Sequence, residues 1–325
     1  MTEPRPRSAE HAITVDAPAE DVYRIVATAV DWPVHFPPTV HVDLLDSDGA
    51  EERIRIWATA NDEVKCWTSR RVHAPDAMSV KFRQEVTASP VAFMRGEWRI
   101  TPLDSARSRV TLLHTYGAID DDPRSAEWIG RAVDGNSGQE LAKLKRAAEM
   151  SGRLGELLLS FEDSVTVAAG PEDVYDFLYR AAEWPRRIPH VSRLELTEST
   201  DGVQRMAMDT RTADGSVHTT ESVRVCLPPD RIVYKQMVTP ALMTAHTGSW
   251  HLTAGPAGGT VATARHTVLL APDRVRDVLG PDATIATARE FVRKALGGNS
   301  TVTLRHAKAH AEAPVRGTAA EGSLA

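Results

Sequence analysis

Pro18-Ala-Glu-Asp-Val-Tyr-Arg-Ile-Val-Ala-Thr-Ala-Val-Asp-Trp-Pro33 returns later in the chain as Gly170-Pro-Glu-Asp-Val-Tyr-Asp-Phe-Leu-Tyr-Arg-Ala-Ala-Glu-Trp-Pro185. Seven of the sixteen positions are identical without a gap, and Tyr23/Tyr175 and Trp32/Trp184 each lie 152 residues apart. The same offset relates Gly96 and Trp98 to Gly248 and Trp250, and His114 to His266. After a slip that insertions would cause, Ala132-Val-Asp-Gly-Asn-Ser137 faces Ala295-Leu-Gly-Gly-Asn-Ser300. This period is too long for a solenoid repeat and matches a whole domain. The chain therefore reads as a tandem duplication of one fold.

A length of 325 residues gives the same count of two. The expected division is a first domain over 1–150, a linker over 151–160 that looks helical, a second domain over 161–312 and a disordered tail over 313–325. The net charge of −6 argues against a nucleic-acid binder, which needs a basic footprint. Cys66 and Cys226 occupy non-equivalent places in the repeat, so no disulfide framework is expected and a reducing, cytoplasmic setting is. Residues 1–10 lack the apolar core of a secretory signal, and no run is apolar enough to span a bilayer.

Within the first half, residues 11–15 alternate as a strand does. Pro18 opens a helix with Glu20 and Asp21 in its first turn, and Trp32-Pro33 is expected to stop it. Phe36-Pro37-Pro38 then makes a turn or a short second helix. Six strand-like segments follow, at 40–45, 52–60, 64–72, 78–86, 92–101 and 109–116, separated by Asp, Asn, Gly and Pro. A long helix over 124–149 closes the half, weakened mid-way by Gly135 and Gly138, where a kink is expected. The second half repeats this order and ends in a helix over 283–311 with glycines at 297 and 298. Consecutive strands with short turns make an antiparallel sheet with one face to bury, and the long helix is its cover. The fold class is α+β, with a cavity expected between each sheet and its helix.

Side chains alternate along a strand, so Lys65, Trp67, Ser69 and Arg71 share a face, as do His218, Thr220, Ser222 and Arg224. Met94, Gly96 and Trp98 form a second such set, matched by His246, Gly248 and Trp250. Leu112, His114 and Tyr116, with His266 in the second half, form a third. If these faces line the cavities, each half holds an arginine, a serine, a histidine and aromatic walls. An arginine on a strand also suits a solvated face, and a lone histidine also suits a structural hydrogen bond. No metal-ligand spacing, phosphate loop, dinucleotide fingerprint or nucleophile elbow is present, so neither metal nor cofactor is expected. The residues by themselves stop at two pocket-forming α+β domains.

Trp67-Thr-Ser-Arg-Arg-Val72, Ser89-Pro-Val-Ala-Phe-Met-Arg-Gly-Glu-Trp98 and Asp31-Trp-Pro33 resemble the aromatase/cyclases of bacterial type II polyketide synthases. These belong to the START/Bet v 1-like helix-grip superfamily, and the tandem form resembles their di-domain members, over roughly residues 9–312. The resemblance implies two helix-grip domains, each a curved antiparallel sheet wrapped around a long C-terminal helix. It implies an enzyme that folds, cyclises and dehydrates the first ring of a ketoreduced poly-β-ketone held on an acyl carrier protein. Such an enzyme works beside a ketoreductase and minimal synthase, with Arg186 and Arg187 as surface contacts for the carrier.

Carried over position by position, the family's pocket arginine and serine fall on Arg71 and Ser69, and on Arg224 and Ser222. Its pocket tryptophan falls on Trp67 (Thr220 in the second copy) and its mouth aromatic on Phe36 (Ile188). A proton-transferring tyrosine of single-domain members is replaced by Thr39 and Val191, which moves that task to His114, His246 and His266. Met94, Trp98, Tyr116 and Trp250 complete the expected substrate-binding walls. Two other readings stay open: a non-catalytic carrier of a hydrophobic ligand, and a division of labour with one active half.

Overall fold

A computed structural model describes residues 4–211, 215 and 217–313. The part of the expected tail over 314–325 lies outside the described residues. The first half runs β1 (Arg7–Val15), α1 (Ala19–Ala27), α2 (Trp32–His35), β2 (Thr39–Ser47), β3 (Glu51–Ala60), β4 (Glu63–Ala74), β5 (Ser79–Val86), β6 (Val91–Pro102), β7 (Ser108–Ala118) and α3 (Pro123–Glu149). After a one-turn helix, α4 (Leu154–Leu157), the order repeats as β8 (Leu158–Val167), α5 (Pro171–Tyr179), α6 (Trp184–Arg187), β9 (Val191–Thr200), β10 (Val203–Arg211), β11 (Val217–Leu227), β12 (Arg231–Val238), β13 (Met243–Ala254) and β14 (Thr260–Leu270). A short helix that the sequence did not signal, α7 (Val275–Leu279), precedes the closing α8 (Ile285–Ala311). The stretch read as linker is thus helical only in part, because β8 already begins at Leu158.

Each half forms one seven-stranded antiparallel sheet, in the orders β1-β7-β6-β5-β4-β3-β2 and β8-β14-β13-β12-β11-β10-β9. The first strand of each half pairs with the last, so β1 and β2 are the two edges of one sheet and β8 and β9 those of the other. β1 shows the alternation that places it: every second residue faces inward. Helix α3 lies along β1 and β7, and α8 along β8 and β14. Asp122 caps α3 by accepting from the Ser125 N–H, with Pro123 in the first turn. Thr284 and Thr287 cap α8 reciprocally.

Two local expectations are corrected. Trp32-Pro33 does not end α1, which stops at Ala27. Trp32 is itself helical (φ −55°, ψ −35°) and opens α2 with Pro33, since a proline near a helix start loses no hydrogen bond. The indole N–H of Trp32 instead turns back onto the Ile25 and Val26 carbonyls, 3.2 Å from each. Nor do the glycines interrupt the long helices: each runs 27 residues unbroken. Gly135 and Gly138 lie on the exposed face, while Gly297 leaves room for the Arg293–Asp163 ion pair beneath α8.

The halves meet back to back. Val40 and Trp57 of the first sheet pack with Val203, Val223, Val225 and Val233 of the second. Arg231 pairs with Asp43 at 2.9 Å across this seam. No helix among the described residues is long and apolar enough to cross a membrane.

Candidate active site

Both sheets carry a buried arginine, but the two are held differently. Arg71 on β4 is 1% exposed. Its Nη2 donates to the Val26 carbonyl at 2.6 Å and its Nη1 to the Ala27 carbonyl at 3.2 Å, and it forms a close ion pair with Glu52. Those carbonyls are the unpaired end of α1, and the guanidinium lies 4.7 Å over the Trp32 ring. Arg71 is thus a helix cap anchored on a carboxylate; it stands behind Trp32 and does not itself line the first half's cavity. Burial pulls it down to about 10, against the support of Glu52.

Arg224 on β11 is equally buried but less committed. One Nη2 N–H reaches the Leu178 carbonyl, the ring of Trp184 lies 5.4 Å away, and Nε and Nη1 have no partner. The cause is one substitution in the facing strand. Arg71 pairs in register with Glu52, whereas Arg224 pairs with Gln204. The neutral Gln204 amide donates to Glu198 at 2.9 Å instead. Burial lowers the Arg224 pKa, yet a guanidinium stays charged at neutral pH.

The cavities differ as much. The one in the first half measures about 130 Å³ and is lined by Trp67, Met94, His114, Trp128 and Glu140. The one in the second half measures about 420 Å³, within the range of small-molecule sites, and is predominantly apolar. Ser222, Arg224, Trp250, His246 and His266 all line it. Each half has the expected cavity, but the structure gathers the predicted residues fully only in the second half. Ser69, Phe36, Trp98 and Tyr116 are core residues of the first half. Phe36, expected at a cavity mouth, is 1% exposed between Trp32 and Trp98, stacked on the latter at 6.0 Å. Ile188 is buried in the same way.

A hydrogen-bonded cluster completes the larger cavity. His246 Nε2 lies 3.0 Å from His266 Nδ1, and the Tyr234 hydroxyl lies 3.2 Å from the same nitrogen. Burial pulls His246 down to about 3 and His266 to about 4, so both imidazoles are neutral at neutral pH. Burial also raises the Tyr234 hydroxyl, keeping it a proton donor. Tyr234 was missed in the sequence reading. The signal was there: it takes the place of Phe82, each ring lying across a glycine of the next strand. At Gly248 and Gly96 a β-carbon would collide with that ring and with a neighbouring carbonyl. His246 in turn replaces Met94, so the first half keeps only His114, edge-on to Phe82 and pulled by burial to about 4. Glu140 is a second residue the sequence reading passed over. It hangs from α3 into the small cavity, where burial pushes its carboxyl up to about 8 against the pull of Lys235. Among the described residues, no group of three His, Cys, Asp or Glu side chains is placed to hold a metal ion.

The polyketide cyclase/dehydrase and lipid transport family matches the chain twice, over residues 6–149 and 159–312. The granaticin polyketide synthase bifunctional cyclase/dehydratase of Streptomyces violaceoruber is 43% identical over 308 residues, 94% of this chain and 95% of that protein. The crystal structure of the di-domain ARO/CYC BexL from the BE-7585A biosynthetic pathway is 54% identical, with a TM-score of 0.84, covering 95% of this chain and 99% of that one. That of StfQ from the steffimycin biosynthetic pathway is 37% identical, with a TM-score of 0.81, covering 94% and 98%. With both halves matched and the tandem arrangement shared end to end, the chain belongs to the polyketide cyclase/dehydrase family, in its di-domain aromatase/cyclase form.

Proposed function

We propose that this protein folds, cyclises and dehydrates the first ring of a ketoreduced poly-β-ketone tethered to an acyl carrier protein, and that the chemistry runs in the second half's cavity. The observation that carries this is a buried Arg224 with two uncommitted nitrogens, Nε and Nη1, beside the Tyr234–His266–His246 cluster. A carrier of apolar cargo gains nothing from such a guanidinium and loses stability by burying it.

Ring closure needs a methylene to lose a proton and its carbon to attack a ketone carbonyl. A neutral imidazole, His246 or His266, accepts that proton. The charge that develops on the carbonyl oxygens falls to Arg224, a fixed cation that cannot act as the base. Ser222, buried on the same wall, positions the chain by its hydroxyl. Dehydration then removes a second proton from carbon, and the ring hydroxyl leaves as water. The first proton returns from the imidazolium to the new alkoxide and makes that hydroxyl; the second, taken up by the same Tyr234–imidazole cluster, is delivered to the hydroxyl as it leaves. Trp184, Trp250 and the methionines Met206 and Met208 hold the folded chain and exclude water.

The test is reconstitution with the minimal synthase, ketoreductase and carrier protein, followed by product identification. Arg224→Met is expected to divert the pathway to unaromatised shunt products. An unchanged aromatic product from that variant would remove the proposal.

A further inference from the structure

Lys235 is 5% exposed, on the outer face of β12. Its ammonium crosses the seam and donates to three carbonyls of the first half: Phe36 at 2.6 Å, Thr39 at 2.8 Å and Pro37 at 2.9 Å. Three acceptors match the three protons of an ammonium with none left over. The duplication did not supply this contact. The matching residue of the first half is Arg83, which is exposed and reaches only Glu85, at 3.5 Å.

The place of Lys235 along β12 gives the contact its meaning. The ladder between β12 and β13 ends at the Lys235–Thr247 pair. On the other side, the register between β11 and β12 shifts next to the Ser222–Gln236 pair. Here the sheet parts, and Tyr234 and Gln236, the neighbours of Lys235, point from β12 into the larger cavity. β5 of the first half opens at the same point, its ladder to β6 ending at Arg83–Arg95 and its register to β4 shifting beside Ser69–Gln84, without such a hold. What differs on β12 is the residue beside the opening: Tyr234, whose hydroxyl has to stay within reach of His266, stands where β5 has Phe82.

We infer that Lys235 is a positioning residue for the second half's site: by gripping the 36–39 turn of the first half it fixes β12 where the sheet opens, and so aims Tyr234 at His266. The inference rests on the function proposed above, and it gives the first half a task even with its own cavity nearly filled.

The test uses the full chain. Lys235→Met is expected to lower the rate of aromatic product formation about 10- to 100-fold, the scale on which small displacements of a reacting group act. Amide exchange in residues 234–238 should speed up about 10-fold while β8 and β14 stay protected. Lys235→Gln, which can serve at most two of the three carbonyls, should fall between Met and the parent in both measurements, and it decides the matter if the Met variant does not fold. Arg231→Ala removes the other cross-seam pair, with Asp43, at the regular end of β12, and should leave both readings near the parent's. A parent-like rate in the folded Lys235 variants, or equal losses from Arg231→Ala, would overturn the inference. Inactivity of the parent itself would strike the proposed function, while the exchange measurements would still judge Lys235.

Discussion

Replacing each buried arginine by methionine separates a cap from the clamp proposed for the reaction. In Arg71→Met the Ala27 carbonyl loses its donor, the Val26 carbonyl is left with the Trp32 indole, and the mostly buried Glu52 is left with His73, 3.4 Å away. Removing one member of a buried ion pair costs about 3–5 kcal/mol, because the remaining charge stays desolvated. The stranded Ala27 carbonyl adds to that, so about 4 kcal/mol is expected, a large share of a typical domain stability. For a unit of this size that is a fall in Tm of about 8–16 °C. In Arg224→Met the Leu178 carbonyl is stranded, no bonded carboxylate is left behind, since Glu198 keeps Gln204 and Tyr179, and a poorly satisfied buried charge is removed. A cost of about 1 kcal/mol follows, with Tm within about 4 °C of the parent. Activity is expected to fall in the opposite order relative to stability: Arg224→Met should lose about 100- to 1,000-fold in turnover while folded, the scale of a missing oxyanion donor. Calorimetry of both variants beside product analysis checks this. If Arg224→Met destabilises as much as Arg71→Met, or Arg71→Met melts like the parent, the division between the two halves is wrong.

Four further outcomes are expected. Tyr234→Phe, which restores the residue type of the first half, should slow aromatisation about 100-fold and leave hydrated ring intermediates, read by mass spectrometry. Gln204→Glu should give Arg224 the carboxylate that Arg71 has, lowering turnover while raising or keeping Tm, measured by calorimetry and assay together. The histidines 114, 246 and 266 are pulled by burial to about 4, 3 and 4, below their ordinary range, so the folded state binds fewer protons than the unfolded one. Their stabilising neutrality is complete above the ordinary histidine pKa and is lost as pH falls toward 4, so Tm should drop steeply in that window. Glu140, pushed up to about 8, acts with the other sign: its contribution is full below the ordinary glutamate pKa and is lost as pH rises through 8. Glu140→Gln should therefore flatten the alkaline side of a Tm-against-pH curve.

The strands, both long helices and the duplication were legible because they rest on periodicity and on a repeat free of gaps, which need no tertiary knowledge. Trp32-Pro33 was misread because the same dipeptide can end one helix or begin the next. Which it does depends on where the Trp32 indole finds its carbonyls, and that is a packing fact. The pairs Ser69/Arg71 and Ser222/Arg224 were legible as inward-facing, and both arginines are buried. Their unequal fates were not, because these lie in the strand opposite: Glu52 against Gln204 is visible in the aligned copies but means nothing until the register is known. Lys235 was hidden more deeply, since its partners are backbone carbonyls about 200 residues away that carry no mark in the sequence.

These differences share one direction. At four places the halves carry different chemistry in the same geometry: Glu52 and Gln204, Phe82 and Tyr234, Met94 and His246, Arg83 and Lys235. The first three remove an anchor from the arginine and add two polar groups to the cavity, and the fourth ties the altered strand to the unaltered half. A buried guanidinium without a bonded carboxylate is costly, and it comes on top of the central opening that both sheets share. A single domain carrying both would draw heavily on a small stability margin. Here the first half keeps its arginine paired, its cavity small and its turn available to Lys235. On the function proposed above, the duplication thus separates two demands that conflict within one sheet: one copy braces, and the other carries the free guanidinium that the chemistry needs.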